Sequence, residues 1–193
     1  VVLGASLGSS ATISLADADY MLVGVDSGDG AGCSVSGAGD VDGDGLDDLL
    51  VGAPERNLGG TKRGAAYLLT NMVNGEIAAV ATAEFNGTED NARFGYSASS
   101  TGDIDELGAG VAVGAPMAAG GGAVFLFGGE LSGTYTQSEA LGIISGDAAG
   151  DGAGAAILGN IDYDGDGLLD IVVGADASGS GAGQAAIFFG GGL

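Results

Sequence analysis

Asp40 to Asp48 reads Asp-Val-Asp-Gly-Asp-Gly-Leu-Asp-Asp, and Asp162 to Asp170 reads Asp-Tyr-Asp-Gly-Asp-Gly-Leu-Leu-Asp. Both have the form D-x-D-x-D-G-x-x-D, and both run into an apolar stretch ending in Val-Gly-Ala. Carboxylates packed this closely repel one another unless a cation sits among them. Hard oxygen ligands at positions 1, 3 and 5, with a Gly that turns the chain sharply, suit Ca²⁺. The expected ligands are Asp40, Asp42, Asp44 and Asp48 in the first copy. In the second they are Asp162, Asp164, Asp166 and Asp170. The backbone carbonyls of Leu46 and Leu168 fill position 7. The alternative is a pair of solvated acidic turns, which would require the same pattern to arise twice by chance in equivalent places.

The first half of this pattern also opens an EF-hand loop. That loop needs a bidentate Glu at position 12 and a helix on either side. Position 12 is Val51 in one copy and Val173 in the other. The flanks Leu49-Leu50-Val51 and Ile171-Val172-Val173 are short and aliphatic, which predicts strands rather than amphipathic helices. The loops therefore close early, with Asp48 and Asp170 as their last carboxylates.

Around these loops the chain is rich in Gly, 42 of 193 residues, with 46% hydrophobic residues and only 6% aromatic. The glycines have no three-residue period, so collagen is excluded, and the apolar content argues against disorder. Many glycines between short apolar runs predict tight turns in an all-β fold. The 26 acidic residues face only 4 basic ones, for a net charge of −22. That balance argues against nucleic acid and against anionic membranes as partners. No apolar run is long enough to span a membrane. The chain starts without a basic leader, as expected of a mature form, and Asn86-Gly87-Thr88 matches a glycosylation sequon, a hint of export. With no His there is no Ser–His pair, and every clustered Asp is explained as a metal ligand, so no enzyme is expected. The single Cys33 is expected to be a small buried hydrophobe. Asp26, Asp29, Asp147 and Asp151 are expected to be solvated turn residues.

A repeat organises the rest. Loops starting at residues 40, 103 and 162 lie 63 and 59 residues apart. In the first unit the expected strands are Cys33–Gly39, Leu49–Val51, Ala65–Thr70 and Ile77–Phe85. In the second, Val111–Val113, Ala123–Phe127 and Ala140–Ser145 follow the first strand. In the third, Ala185–Phe189 follows the acidic hairpin. Ahead of these, Val1–Leu7 and Tyr20–Val23 read as strands and Ser9–Ser14 as a turn and short strand, and Val1–Val25 aligns with the third and fourth strands of a unit. Units of about sixty residues with four short strands each are blade-like.

Phe94-Gly95 followed by Gly114-Ala115-Pro116 resembles the FG-GAP repeat of integrin α-subunit β-propellers and related bacterial and archaeal surface proteins. Ala31-Gly32 with Gly52-Ala53-Pro54, and Ala153-Gly154 with Gly174-Ala175-Asp176, carry the same pattern. The resemblance implies propeller blades of four antiparallel strands, with Ca²⁺ held in the hairpin between the first and second strands. It implies about three FG-GAP units, incomplete at both ends: a partial blade over 1–29, blades over 30–90 and 91–149, and a partial blade over 150–193. The middle loop departs from the pattern. It has Asp103 and Asp105, but Glu106, Leu107 and Gly110 where the others have Asp, Gly and Asp, so weaker metal binding is expected there.

Propellers close with four to eight blades. The incomplete ends leave three readings: a three-unit ring, a piece of a longer propeller, or assembly in which copies complete one another's split blades. Assembly or a larger parent is favoured, because an unpaired sheet edge is a template for another strand. The resulting expectation is a calcium-stabilised extracellular module with a structural or adhesive role that forms a homo-oligomer or polymer. The alternative is an integrin-like receptor head that binds a protein or glycan ligand through loops such as Glu55–Arg63.

Overall fold

The computed structural model describes residues 1, 14–103, 109–177 and 181–191. Regular structure within them is nearly all β, arranged as successive antiparallel sheets. The first blade is a meander of β2 (Ser34–Gly39), β3 (Asp48–Ala53), β4 (Ala65–Leu69) and β6 (Ala83–Asn86). The second repeats it with β7 (Ser97–Gly102), β8 (Gly110–Ala115), β9 (Ala123–Phe127) and β11 (Gly142–Ser145). The third sheet holds β12 (Ala153–Ile161), β13 (Asp170–Ala175) and β14 (Gln184–Phe188). These are the propeller-type blades that the repeat spacing predicts. The expected strands over Val1–Leu7 and Ser9–Ser14 fall almost wholly on residues 2–13, outside the described residues.

Second strands such as Leu49-Leu50-Val51 and Val111-Ala112-Val113 are apolar on both faces because a neighbouring layer covers each face. Leu50, Ala66, Leu68 and Phe85 of the first blade share a core with Phe94, Val111, Val113, Phe125 and Phe127. The Phe94 ring lies 5.6 Å from that of Phe125, and Phe85 lies 4.8 Å from Phe127. The next joint packs Ala112, Val124 and Leu126 against Ile171 and Val173. Ala153 stands there in the place of Phe94, so the turn contributes a methyl instead of a ring. The first strands are built from small residues, Ser-Val-Ser-Gly-Ala-Gly in β2 and Ser-Ala-Ser-Ser-Thr-Gly in β7. This lets β2 pack on β7, and β7 on β12, at close range.

Each joint is locked by backbone. The Gly95 carbonyl presses against the Cα of Gly52, where any Cβ would collide with it, and accepts the Ser34 hydroxyl at 3.0 Å. One blade further on, the Gly154 carbonyl takes the same place over Gly114 and accepts the Ser97 hydroxyl at 2.7 Å. Gly64 bridges Phe94 and Gly122 bridges Ala153 in parallel. The FG and GAP halves of the repeat are therefore the two sides of one inter-blade contact.

Four expectations are corrected. Ile77–Phe85 is not one strand: Ile77–Val80 forms a single helical turn, and the strand begins at Ala83. The chain ahead of that turn, β5 (Gly75–Glu76), pairs in parallel with β1 (Leu22–Val23), outside its own blade. It must then return to the outer edge, and the Ala-rich Ile-Ala-Ala-Val run closes that reversal as a helix readily. The same detour occurs in the second blade, where β10 (Gly133–Thr136) pairs in parallel with β6 and a 3₁₀ turn over Gln137–Glu139 follows. The fourth strand there starts at Gly142, after the expected Ala140. Cys33 is exposed, because β2 begins one residue later and Cys33 belongs to the turn. Asp29 and Asp151 are buried, since their carboxylates accept backbone N–H groups of Asp26, and of Asp147 and Ala148, and so tie the turns before the first strands.

Phe94 is fully buried at the first joint. Phe94→Ala should lower the unfolding free energy by about 3–5 kcal/mol, read by chemical denaturation. A loss below about 1 kcal/mol would mean that the ring does not hold the blades together.

Candidate metal centre

The two acidic stretches form the turns of the β2–β3 and β12–β13 hairpins. Four of their internal hydrogen bonds match position by position, and the second loop adds one, from the Gly165 N–H to Asp162 at 2.7 Å. Asp40 accepts the Gly45 N–H at 2.9 Å and Asp162 accepts the Gly167 N–H at 3.0 Å. Asp42 accepts from Asp44 at 3.1 Å, and Asp164 from Asp166 at 3.2 Å. Asp44 accepts from Leu46, and Asp166 from Leu168, each at 2.8 Å. Asp48 accepts from Val41, and Asp170 from Tyr163, each at 2.7 Å. Gly45 and Gly167 turn the chain at φ of 88° and 90°, a region that side chains disfavour. The side chains of Leu46 and Leu168 at the apex are exposed.

This arrangement gathers one carboxylate oxygen each from Asp40, Asp42 and Asp48 within 4.8 Å of one another, and likewise from Asp162, Asp164 and Asp166. Asp44 and Asp170 stand outside those two triads. The two loops also differ at their last carboxylates. Asp48 and Asp170 are both buried, at 3% and 0% exposure. Asp170 uses its second oxygen to accept the Gly190 N–H at 2.9 Å. The second oxygen of Asp48, Oδ1, is buried with no hydrogen-bond partner among the described residues. Burial pushes the Asp48 carboxyl above its usual range, and the nearby Asp42 and Asp44 charges add to this; the Val41 N–H works against it. A cation among the three carboxylates would satisfy the orphaned oxygen and remove the repulsion, so the donor set fits a hard divalent ion. Of the middle loop, residues 104–108 lie outside the described residues.

The Gly190 contact to Asp170 has no sequence signal, because the two are 20 residues apart. The four basic residues also find specific partners. Arg56 pairs with Glu84 at 2.5 Å and with the Tyr67 hydroxyl, while Lys62 and Arg93 both pair with Glu55. Arg63 pairs with Asp90 at 2.7 Å and holds that carboxyl below its usual range.

Successive β-sheets with an acidic loop in the first hairpin define a propeller-type repeat protein. The FG-GAP repeat matches residues 34–69 and 153–188, in each case a first, second and third strand with the acidic loop between the first two. Integrin alpha-5 of Xenopus laevis is 34% identical over 154 residues, covering 75% of this chain and 14% of the relative. Integrin alpha-6 of Gallus gallus is 35% identical over 139 residues, covering 70% and 12%. Integrin alpha-PS5 of Drosophila melanogaster is 38% identical over 146 residues, covering 72% and 14%. The chain belongs to the FG-GAP repeat family, in its integrin α-subunit-like propeller branch. It spans only 11–14% of the length of the integrin α relatives it matches.

The raised Asp48 value fixes a sign. Without metal, ionised Asp48 destabilises the fold. This penalty is absent below the unfolded value, near 3.8, grows as pH rises through the folded value, and is full above it. In chelator, acidification over that window should therefore stabilise the wild type relative to Asp48→Asn, followed by thermal melts. Parallel pH profiles for the two proteins would contradict the burial argument.

Proposed function

We propose that this chain is a calcium-stabilised extracellular propeller module with a structural or adhesive role. Asp40, Asp42, Asp44 and Asp48, with the Leu46 carbonyl, hold one ion. Asp162, Asp164, Asp166 and Asp170, with the Leu168 carbonyl, hold a second. The observation that carries this reading is the buried Asp48 oxygen, which has no hydrogen-bond partner among the described residues, inside a loop crowded with carboxylates. Bound Ca²⁺ supplies charge neutralisation and no reaction; the chain's own residues pre-shape the loop through backbone N–H groups that aim the carboxylates inward. A surface of net charge −22 and relatives that are integrin α-subunits support a place outside the cell, where modules of this kind meet abundant Ca²⁺. Among the described residues no helix is long and apolar enough to cross a membrane.

The repeat units run over 30–90, 91–149 and 150–193, with 1–29 belonging to a further blade, and copies of the chain assemble by completing blades across their ends. A receptor head reading the Glu55–Arg63 segment as its ligand contact has less support, because Lys62 and Arg63 are already paired with Glu55 and Asp90.

Chelation should lower the melting temperature sharply. With free Ca²⁺ a hundredfold above Kd, each site adds about 2.7 kcal/mol. Asp44→Ala should remove part of the gain, because the second loop is untouched. A melt indifferent to chelator would refute the calcium reading.

A further inference from the structure

The two acidic loops differ in how free their last carboxylate is to serve an ion. Asp48 and Asp170 open β3 and β13, and each accepts one N–H from within its own loop, that of Val41 or Tyr163. Asp170 has a second donor, because its other oxygen accepts the Gly190 N–H at 2.9 Å. Both of its oxygens are committed, and it stands outside the triad of Asp162, Asp164 and Asp166. Asp48 keeps one buried oxygen without a hydrogen-bond partner among the described residues, and it belongs to the triad with Asp40 and Asp42.

A glycine makes the difference. Leu49 pairs with Leu69, and Ile171 pairs with Phe188, so Asn71 and Gly190 hold corresponding positions two residues further on. A Cβ on Gly190 would lie 2.7 Å from both the Leu168 Cβ and the Leu169 carbonyl oxygen. Only a residue without one can lie this close to the loop and donate to Asp170. Asn71 carries a side chain, which donates to the Thr70 hydroxyl at 3.4 Å, and the Asp48 oxygen is left without a donor among the described residues. The loops differ in charge as well. Asp47 of the first is replaced by Leu169 in the second. Asp47 is exposed, so salt screens its contribution.

We propose that the two loops are unequal calcium sites: the first fills at low Ca²⁺, and the second, latched by Gly190, fills only at higher Ca²⁺ and releases the Gly190 N–H as Asp170 turns to the ion. This rests on the calcium reading above and assigns an order of filling to its two loops. In the first loop the ion takes a carboxylate oxygen that has no bond to give up. In the second it displaces a hydrogen bond to a charged group, which weakens binding on the order of tenfold to a hundredfold. Without an ion the Gly190 bond keeps the buried Asp170 satisfied, so the second hairpin holds its shape. The first hairpin has no such substitute and depends more on its ion. The second loop is thus the one that responds to changing Ca²⁺, and its response reaches the turn after β14.

Equilibrium dialysis of the metal-stripped chain against buffered Ca²⁺ tests this. Two ions should bind in steps roughly tenfold or more apart. Asp42→Asn should remove the tight step and Asp164→Asn the weak one. The Gly190 amide, followed by NMR through the same titration, should lose its protection from exchange only with the weak step. Gly190→Asn, which places the first blade's residue at the latch, should tighten the weak step toward the strong one, whereas a merely structural glycine would give weaker binding. Asp47→Leu equalises the charge of the loops and should leave most of the gap. Steps of equal affinity, a tight step that belongs to the second loop, a gap closed by Asp47→Leu, or a Gly190 amide protected throughout would each overturn the ordering and leave calcium binding intact. A chain that binds no Ca²⁺ in either loop overturns the calcium reading itself.

Discussion

A backbone carbonyl standing where a side chain would begin is the contact on which this architecture depends. At Gly52 and again at Gly114, the carbonyl of the next blade's turn lies against a bare Cα and is held by a serine hydroxyl. No residue with a Cβ can occupy either position without separating the layers. Once the carbonyl is seated, the apolar faces of adjacent blades meet: Leu50 and Leu68 find Val111, Phe125 and Phe94, and Val124 finds Ile171. The hydrophobic effect supplies most of the stabilisation. The close backbone contact decides which faces meet and at what offset, something that non-directional burial cannot specify.

The acidic loops lie at the other end of the same strands. β3 runs from Asp48 to Ala53, and β13 from Asp170 to Ala175. Six residues therefore connect the last carboxylate of each loop to the glycine and alanine of the joint. Ordering the loop fixes the start of the strand whose far end carries the contact surface. The proposed ion is thus suited to act on blade packing as well as on its own hairpin. The glycine-rich turns flanking these strands lose much conformational entropy on folding, and two inwardly aimed sets of carboxylates are poor partners for one another until positive charge is added.

The sparse positive charge is spent within the fold. All four cationic side chains, of Arg56, Lys62, Arg63 and Arg93, pair with carboxylates around the first blade and the turn that leads to the second. Arg56 also lies over the Tyr67 ring at 5.5 Å. The rest of the surface is left strongly acidic, which favours solubility and disfavours casual association between copies.

The sequence alone determined the acidic loops, the strands that flank them, the sixty-residue period and the blade-like character of the units. Each of these is a local pattern: carboxylate spacing, a turn glycine, or a short aliphatic run bounded by glycines. It did not reveal the helical turn at Ile77, the strands β5 and β10, the exposure of Cys33 or the burial of Asp29 and Asp151. The helical turn and the two strands depend on pairing with chain outside their own blade, and the others on how the turns ahead of the first strands fold. Ile-Ala-Ala-Val is compatible with strand or helix until the preceding chain has crossed over to pair with Leu22 and Val23. The two acidic loops likewise have nearly identical sequences, yet tertiary structure makes them differ. Gly190 comes from 20 residues away to satisfy Asp170, while no described group does so for Asp48, because hydrogen-bond partners are allotted by packing in space and not by the order of residues.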